Sequence, residues 1–142
     1  MRATSLAPTS GHLLGGFAML LAKQGVCDRA ELYFRRGLDM DPSNPDLLGN
    51  FSSFYHRQRN NVPMAIEVVK KALKICPKHC NNLSKYATLL KQKGPKFYDD
   101  AEMQYQLACK LPDASATVLC NYATFLYVVM LVLVLMMCMC MW

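Results

Sequence analysis

Acidic residues are nearly missing from the middle of this chain, and charge of either sign is missing from its end. Between Leu47 and Tyr98 the acid is Glu67 alone, against the bases Arg57, Arg59, Lys70, Lys71, Lys74, Lys78, Lys85, Lys91, Lys93 and Lys96. From Arg2 to Asp46 the two signs balance at five each. The formal net charge of +6 over 142 residues is thus a property of the central stretch, and it favours an acidic partner there. After Asp113 no charged residue remains. The chain also lacks a glycine loop for phosphate, a Ser-His-Asp constellation and paired carboxylates in a recognisable setting, so no enzyme is expected. Asp99-Asp100 reads as a helix start, where carboxylates favour the dipole. Seven cysteines, odd in number and mostly within predicted helices, read as reduced packing residues of an intracellular protein more than as a disulfide framework.

What the chain does have is an internal repeat. Leu48-Gly49-Asn50-Phe51-Ser52-Ser53-Phe54-Tyr55 recurs as Leu83-Ser84-Lys85-Tyr86-Ala87-Thr88-Leu89-Leu90 and as Leu119-Cys120-Asn121-Tyr122-Ala123-Thr124-Phe125-Leu126. A degenerate earlier copy begins at Leu14. The steps from each leading Leu to the next are 34, 35 and 36 residues, a period that belongs to stacked supersecondary units. Each unit reads as a helical hairpin closed by proline. The first breaks at Lys23-Gln24-Gly25 and stops at Asp41-Pro42; the second breaks at Arg59–Pro63 and stops at Cys76-Pro77; the third breaks at Lys93-Gly94-Pro95 and stops at Leu111-Pro112. The run Leu13–Ala22 carries the repeat pattern, so it reads as a helix of the array in preference to a signal or transit peptide.

Small residues recur in the second helices: Ala30, Ala65 and Ala101, then Gly37, Ala72 and Ala108 seven residues later. Between them stand Phe34, Val69 and Tyr105, completing an i, i+4, i+7 stripe that a helix buries on one face. Ala or Gly at such places lets neighbouring axes approach closely.

These residues resemble the tetratricopeptide repeat, whose first helix carries a large apolar residue and then Gly, Ala or Ser, and whose second carries Ala, an aromatic, Ala and a closing Pro. The likeness covers about residues 11–126; copy three carries a two-residue excess, and copy four contains a first helix only. The resemblance implies an all-α, right-handed α-solenoid: a disordered residue 1–10 stretch, hairpins at 11–44, 45–79 and 80–113, and a partial fourth repeat in 114–142 running into an apolar tail.

It also implies that the first helices line a concave groove. Carried over by register, the inward positions are His12, Gly15, Met19, Ala22 and Lys23; Asp46, Gly49, Ser53, His56 and Arg57; and Asn81, Ser84, Thr88, Lys91 and Gln92. With Asn50 and Lys85 from the carboxylate-clamp places of the family, the expected peptide-binding set is Lys23, Asn50, Ser53, His56, Arg57, Ser84, Lys85, Thr88 and Lys91. Such a polar, mildly basic wall suits an extended peptide with an acidic side chain or terminal carboxylate. Members of the family that clamp chaperone tails use Lys and Asn in the first repeat and Lys in the third, where this chain has Gly15, Met19 and Asn81. Chaperone-tail binding is therefore not expected.

Other chemistry is thin. Cys76-Pro77-Lys78-His79-Cys80 offers three soft ligands where structural zinc wants four, so it reads as an inter-repeat turn; no metal and no cofactor is expected. Nucleic acid is disfavoured, because Phe51, Phe54, Tyr55 and Tyr86 follow core positions of the repeat and are not free to stack on bases. From Tyr122 to Trp142 only Thr124 interrupts an apolar run, long enough for a bilayer core of about 30 Å. Trp142 would sit near the far interface. The sequence thus points to a protein-protein interaction scaffold in the cytoplasm that binds an acidic peptide. The alternatives are an organiser tethered to an intracellular membrane through Tyr122–Trp142, with the repeats facing the cytosol, and a truncated fragment whose fourth repeat has lost its second helix.

Overall fold

The computed structural model describes residues 10–140. The expected disorder of residues 1–9 and the interfacial placement of Trp142 lie outside the described residues. Ser10, placed by sequence in the same N-terminal stretch, instead caps a helix: its Oγ accepts the Leu13 amide at 3.3 Å.

Among the described residues seven α-helices follow in order: α1 Gly11–Lys23, α2 Cys27–Met40, α3 Pro45–Arg57, α4 Val62–Ile75, α5 Cys80–Lys93, α6 Tyr98–Cys109 and α7 Ala116–Cys140. A 3-10 turn, Pro95–Phe97, enters α6, and the described residues contain no strand. The starts are set by short polar caps. Asn44 Oδ1 accepts the Leu47 amide at 3.0 Å ahead of α3, Asn61 Oδ1 accepts the Met64 amide at 3.1 Å ahead of α4, and His79 Nδ1 accepts the Asn82 amide at 3.4 Å ahead of α5. An Asn cap of this kind is worth about 1 kcal/mol. Pro45 and Pro63 fall in first turns, where their missing N–H leaves no helix bond unmade. The α1–α2 break turns on Gly25, whose φ of +79° is costly for a residue with a Cβ.

The chain forms two compact units, Met1–Pro77 and Lys78–Trp142. The first holds the hairpins α1/α2 and α3/α4; the second holds α5/α6 with α7 packed on both. In the first unit the rings of Phe34, Phe51 and Phe54 meet at centroid distances of 5.0 to 6.1 Å. Ala18, Ala30, Ala65 and Ala72 of the same unit are fully buried, and side chains this small let helix axes approach closely. In the second unit Ala87, Leu90, Ala101, Tyr105 and Phe125 form one cluster, flanked by Tyr86, Phe97, Tyr98, Tyr122 and Val129. The whole small-large-small stripe of α2, α4 and α6 is buried.

The lengthening period has a structural origin. Leu14 to Ala30, Leu48 to Ala65 and Leu83 to Ala101 are 16, 17 and 18 residues apart, whereas Ala30–Leu48, Ala65–Leu83 and Ala101–Leu119 are all 18. The extra residues therefore sit in the turn inside each hairpin. In the third hairpin they wind into the Pro95–Phe97 3-10 turn and leave the packing register untouched.

Candidate binding faces on the first helices

In the first unit α2 folds back on α1 and α3 folds back on α2, so α1 and α3 run the same way side by side. Lys23 is the last residue of α1, and His56 and Arg57 end α3. Bases at these ends offset the negative pole of each helix. Lys23 and Arg57 are exposed and His56 is half-buried. Asn50 and Ser53 are half-buried on α3, and the Ser53 hydroxyl donates to the Gly49 carbonyl at 3.1 Å. Its proton is spent on its own helix, so toward a ligand it offers lone pairs.

Gly15, Ala22 and Gly49, expected to face inward by register, are buried instead. A Cβ on Gly15 would come within 2.5 Å of Leu47 Cδ1, itself a buried side chain. Gly15 is therefore the notch into which α3 fits. A side chain there would require the Leu47 methyl to move aside.

In the second unit Lys85, Thr88 and Lys91 lie half-buried along α5. Ser84 is not on an open surface. It is buried, and Asn121 of α7 donates to its Oγ at 3.1 Å. Thr88 donates to the Ser84 carbonyl at 2.9 Å, so its Oγ1 receives the Tyr105 hydroxyl at 2.8 Å. Burial pushes the Tyr105 phenol above its ordinary range, with the Thr88 contact acting against that rise. The sequence reading missed Asn121 and Tyr105 as partners of this face. The signal for Asn121 was present, since it holds the repeat place of Asn50 and Lys85.

A second polar cluster ties α2 to α3. Glu31 accepts from Arg35 at 2.8 Å, from the Tyr55 hydroxyl at 3.0 Å and from Arg59 at 3.0 Å, while Arg59 also meets Asp28 at 2.7 Å. Burial alone raises the Glu31 carboxyl, but the three donors outweigh it and hold the group below its ordinary value. Arg59 is consequently engaged within the protein, whereas no ion pair among the described residues engages Arg57 or Lys91. His79 and Cys80 also have structural work: His79 caps α5, and the buried Cys80 thiol donates to the Ala108 carbonyl at 3.4 Å.

α7 departs from the other first helices. It runs for 25 residues and reaches a mean hydropathy of 2.6. Val118 and Phe125 are buried, and Tyr122 stacks on Tyr105 at 5.6 Å, so its first half packs as a first helix of the array. Beyond Val132 every described residue is exposed.

No protein-family model matches the chain, and no curated protein sequence does either. Solved structures do. The first tetratricopeptide-repeat domain of Spaghetti (RPAP3), bound to the HSP90 peptide SRMEEVD, is similar at a TM-score of 0.70 and 19% identity, over 84% of this chain and 93% of that one. The Sgt2 tetratricopeptide-repeat domain from Aspergillus fumigatus is similar at a TM-score of 0.72 and 17% identity, over 91% of this chain and 84% of that one. Identities this low establish the fold alone. The fold is that of tetratricopeptide-repeat domains, an all-α helical-repeat solenoid.

Proposed function

We propose that this chain is an interaction scaffold whose first-helix faces hold an extended, acidic segment of another protein. The observation that carries the reading is the likeness to a domain solved with the peptide SRMEEVD on it, joined to the excess of basic over acidic residues between Leu47 and Tyr98. In the first unit Lys23, His56 and Arg57 gather at one end of α1 and α3, with Asn50 and Ser53 behind them. In the second unit Lys85 and Lys91 present donors and positive charge along α5 beside Thr88, and Ser84 steadies that face through Asn121. Peptide carboxylates would meet Arg57 and Lys91 through charge-assisted hydrogen bonds, each stronger than a neutral pair. Because Gly15, Met19 and Asn81 stand at the clamp places, the ligand is an acidic segment read differently from a chaperone tail.

The test is an array of acidic peptides probed with the full chain and with the double variant Arg57→Glu, Lys91→Glu. Reversing charge at two contacts is expected to weaken capture by roughly a hundredfold at low salt, with helical content unchanged. Undiminished capture would refute the assignment of these faces.

A second reading is favoured by the far end of α7. There the exposed, uncharged stretch after Val132 has the composition of a lipid-embedded segment, and a helix of 25 residues reaches about 37 Å against a hydrocarbon core of about 30 Å. The contacts of Val118, Tyr122, Phe125 and Val129 occupy its first half, so insertion through all of Tyr122–Trp142 would require α7 to leave the fold. On this reading the scaffold is tethered to an intracellular membrane by the end of α7 and displays its repeats to the cytosol.

A further inference from the structure

In the third hairpin Ala87 and Leu90 of α5 are covered by Ala101 and Tyr105 of α6, within one cluster. In the second hairpin the matching Ser52 of α3 donates to the carbonyl of Ala65 on α4 at 2.8 Å. The stripe of a first helix at these repeat places is thus the seat of its second helix. On α7 the same places are Leu119, Ala123 and Leu126. Leu119 is 51% exposed and Leu126 43%, against 5% for both Leu83 and Leu90, and Ala123 is exposed where Ala87 is fully buried. α7 runs alongside α5 in the same direction, Asn121 on Ser84 and Phe125 in the cluster with Leu90, so this stripe is held in the register of its buried equivalents.

Nothing among the described residues covers it. The turn that returns the chain in the other hairpins falls 9 or 10 residues after the leading Leu, at Lys23, Arg57 and Lys93, whereas α7 continues unbroken to Cys140. The three stripes that fit such a seat, on α2, α4 and α6, are themselves buried in their own hairpins. From this we infer that Leu119, Ala123 and Leu126 form a docking face for one amphipathic helix supplied by another protein. That helix carries a small residue, a large apolar residue four places on and a second small residue three further on. Its chemistry is fixed by the template the chain repeats three times: Ala30/Phe34/Gly37, Ala65/Val69/Ala72 and Ala101/Tyr105/Ala108. The small residues let the incoming axis seat against Ala123, and the large one fills the gap between Leu119 and Leu126.

The probe is a synthetic helical peptide with the sequence of residues 61–77, labelled for fluorescence anisotropy and titrated with the full chain in detergent micelles. Saturable binding is expected. Ala123→Trp, which fills the notch from an exposed position and so spares the fold, is expected to weaken it at least about tenfold. A peptide with the equivalents of Ala65, Val69 and Ala72 all changed to Glu is expected not to bind. Equal binding by Ala123→Trp, or by the glutamate peptide, would overturn the face. So would loss of wild-type binding when the chain is moved from micelles into phosphatidylcholine nanodiscs, because lipid would then be what covers the stripe.

Discussion

Replacing Phe125 by alanine tests how firmly α7 belongs to the fold. The Phe125 ring is 1% exposed and lies at centroid distances of 5.6 Å from Tyr98, 5.4 Å from Tyr105 and 6.4 Å from Tyr122. Truncating a buried Phe removes its transfer free energy and leaves a cavity, together about 3–5 kcal/mol. The adjacent Leu126 faces outward, and Leu126→Ala there should cost under about 1 kcal/mol. One residue of register thus separates a large effect from a small one. Because α6 owes the cover of Tyr105 to this helix, the loss is expected to appear as a lower unfolding midpoint for the second unit, with the first unit little changed. The assay is urea denaturation followed by circular dichroism in a fixed detergent concentration. Equal, small effects of the two substitutions would refute the packing of α7 as a first helix and would leave the entire segment available to lipid.

Two further outcomes are expected. Glu31, held below its ordinary value of 4.5, contributes stability that is present above that pH and is lost as pH falls through the lowered folded value. Glu31→Gln should therefore flatten the acid limb of the stability profile below about pH 4.5 while lowering stability near neutrality, and an unchanged acid limb would remove the carboxylate from that role. For the tether, the intact chain expressed in cells is expected in the membrane pellet after carbonate washing, and recovery in the soluble fraction would dismiss the lipid reading of the α7 end.

The hairpins were legible because their signals are local. Periodic apolar positions, Pro at stops, Asn and Gly at turns and the small-large-small stripe each act within a few residues, so Phe34, Val69 and Tyr105 could be read as core from spacing alone. The binding face was less legible. Register arithmetic treats every inward position alike, but a first-helix position can face a neighbour's side chain as readily as a ligand. Gly15 turned out to be a seat for Leu47, and Ser84 turned out to lie under Asn121, both decided by what α3 and α7 bring against them.

The C-terminal run shows the same division. Its apolar length and the absence of charge after Asp113 come from the amino-acid order alone, since hydropathy is additive along the chain. Which face of that helix is already taken came only with the tertiary structure. Phe125 and Leu126 are neighbours in sequence and equally apolar, and the roughly 100° turn between them puts one against Tyr105 and leaves the other uncovered.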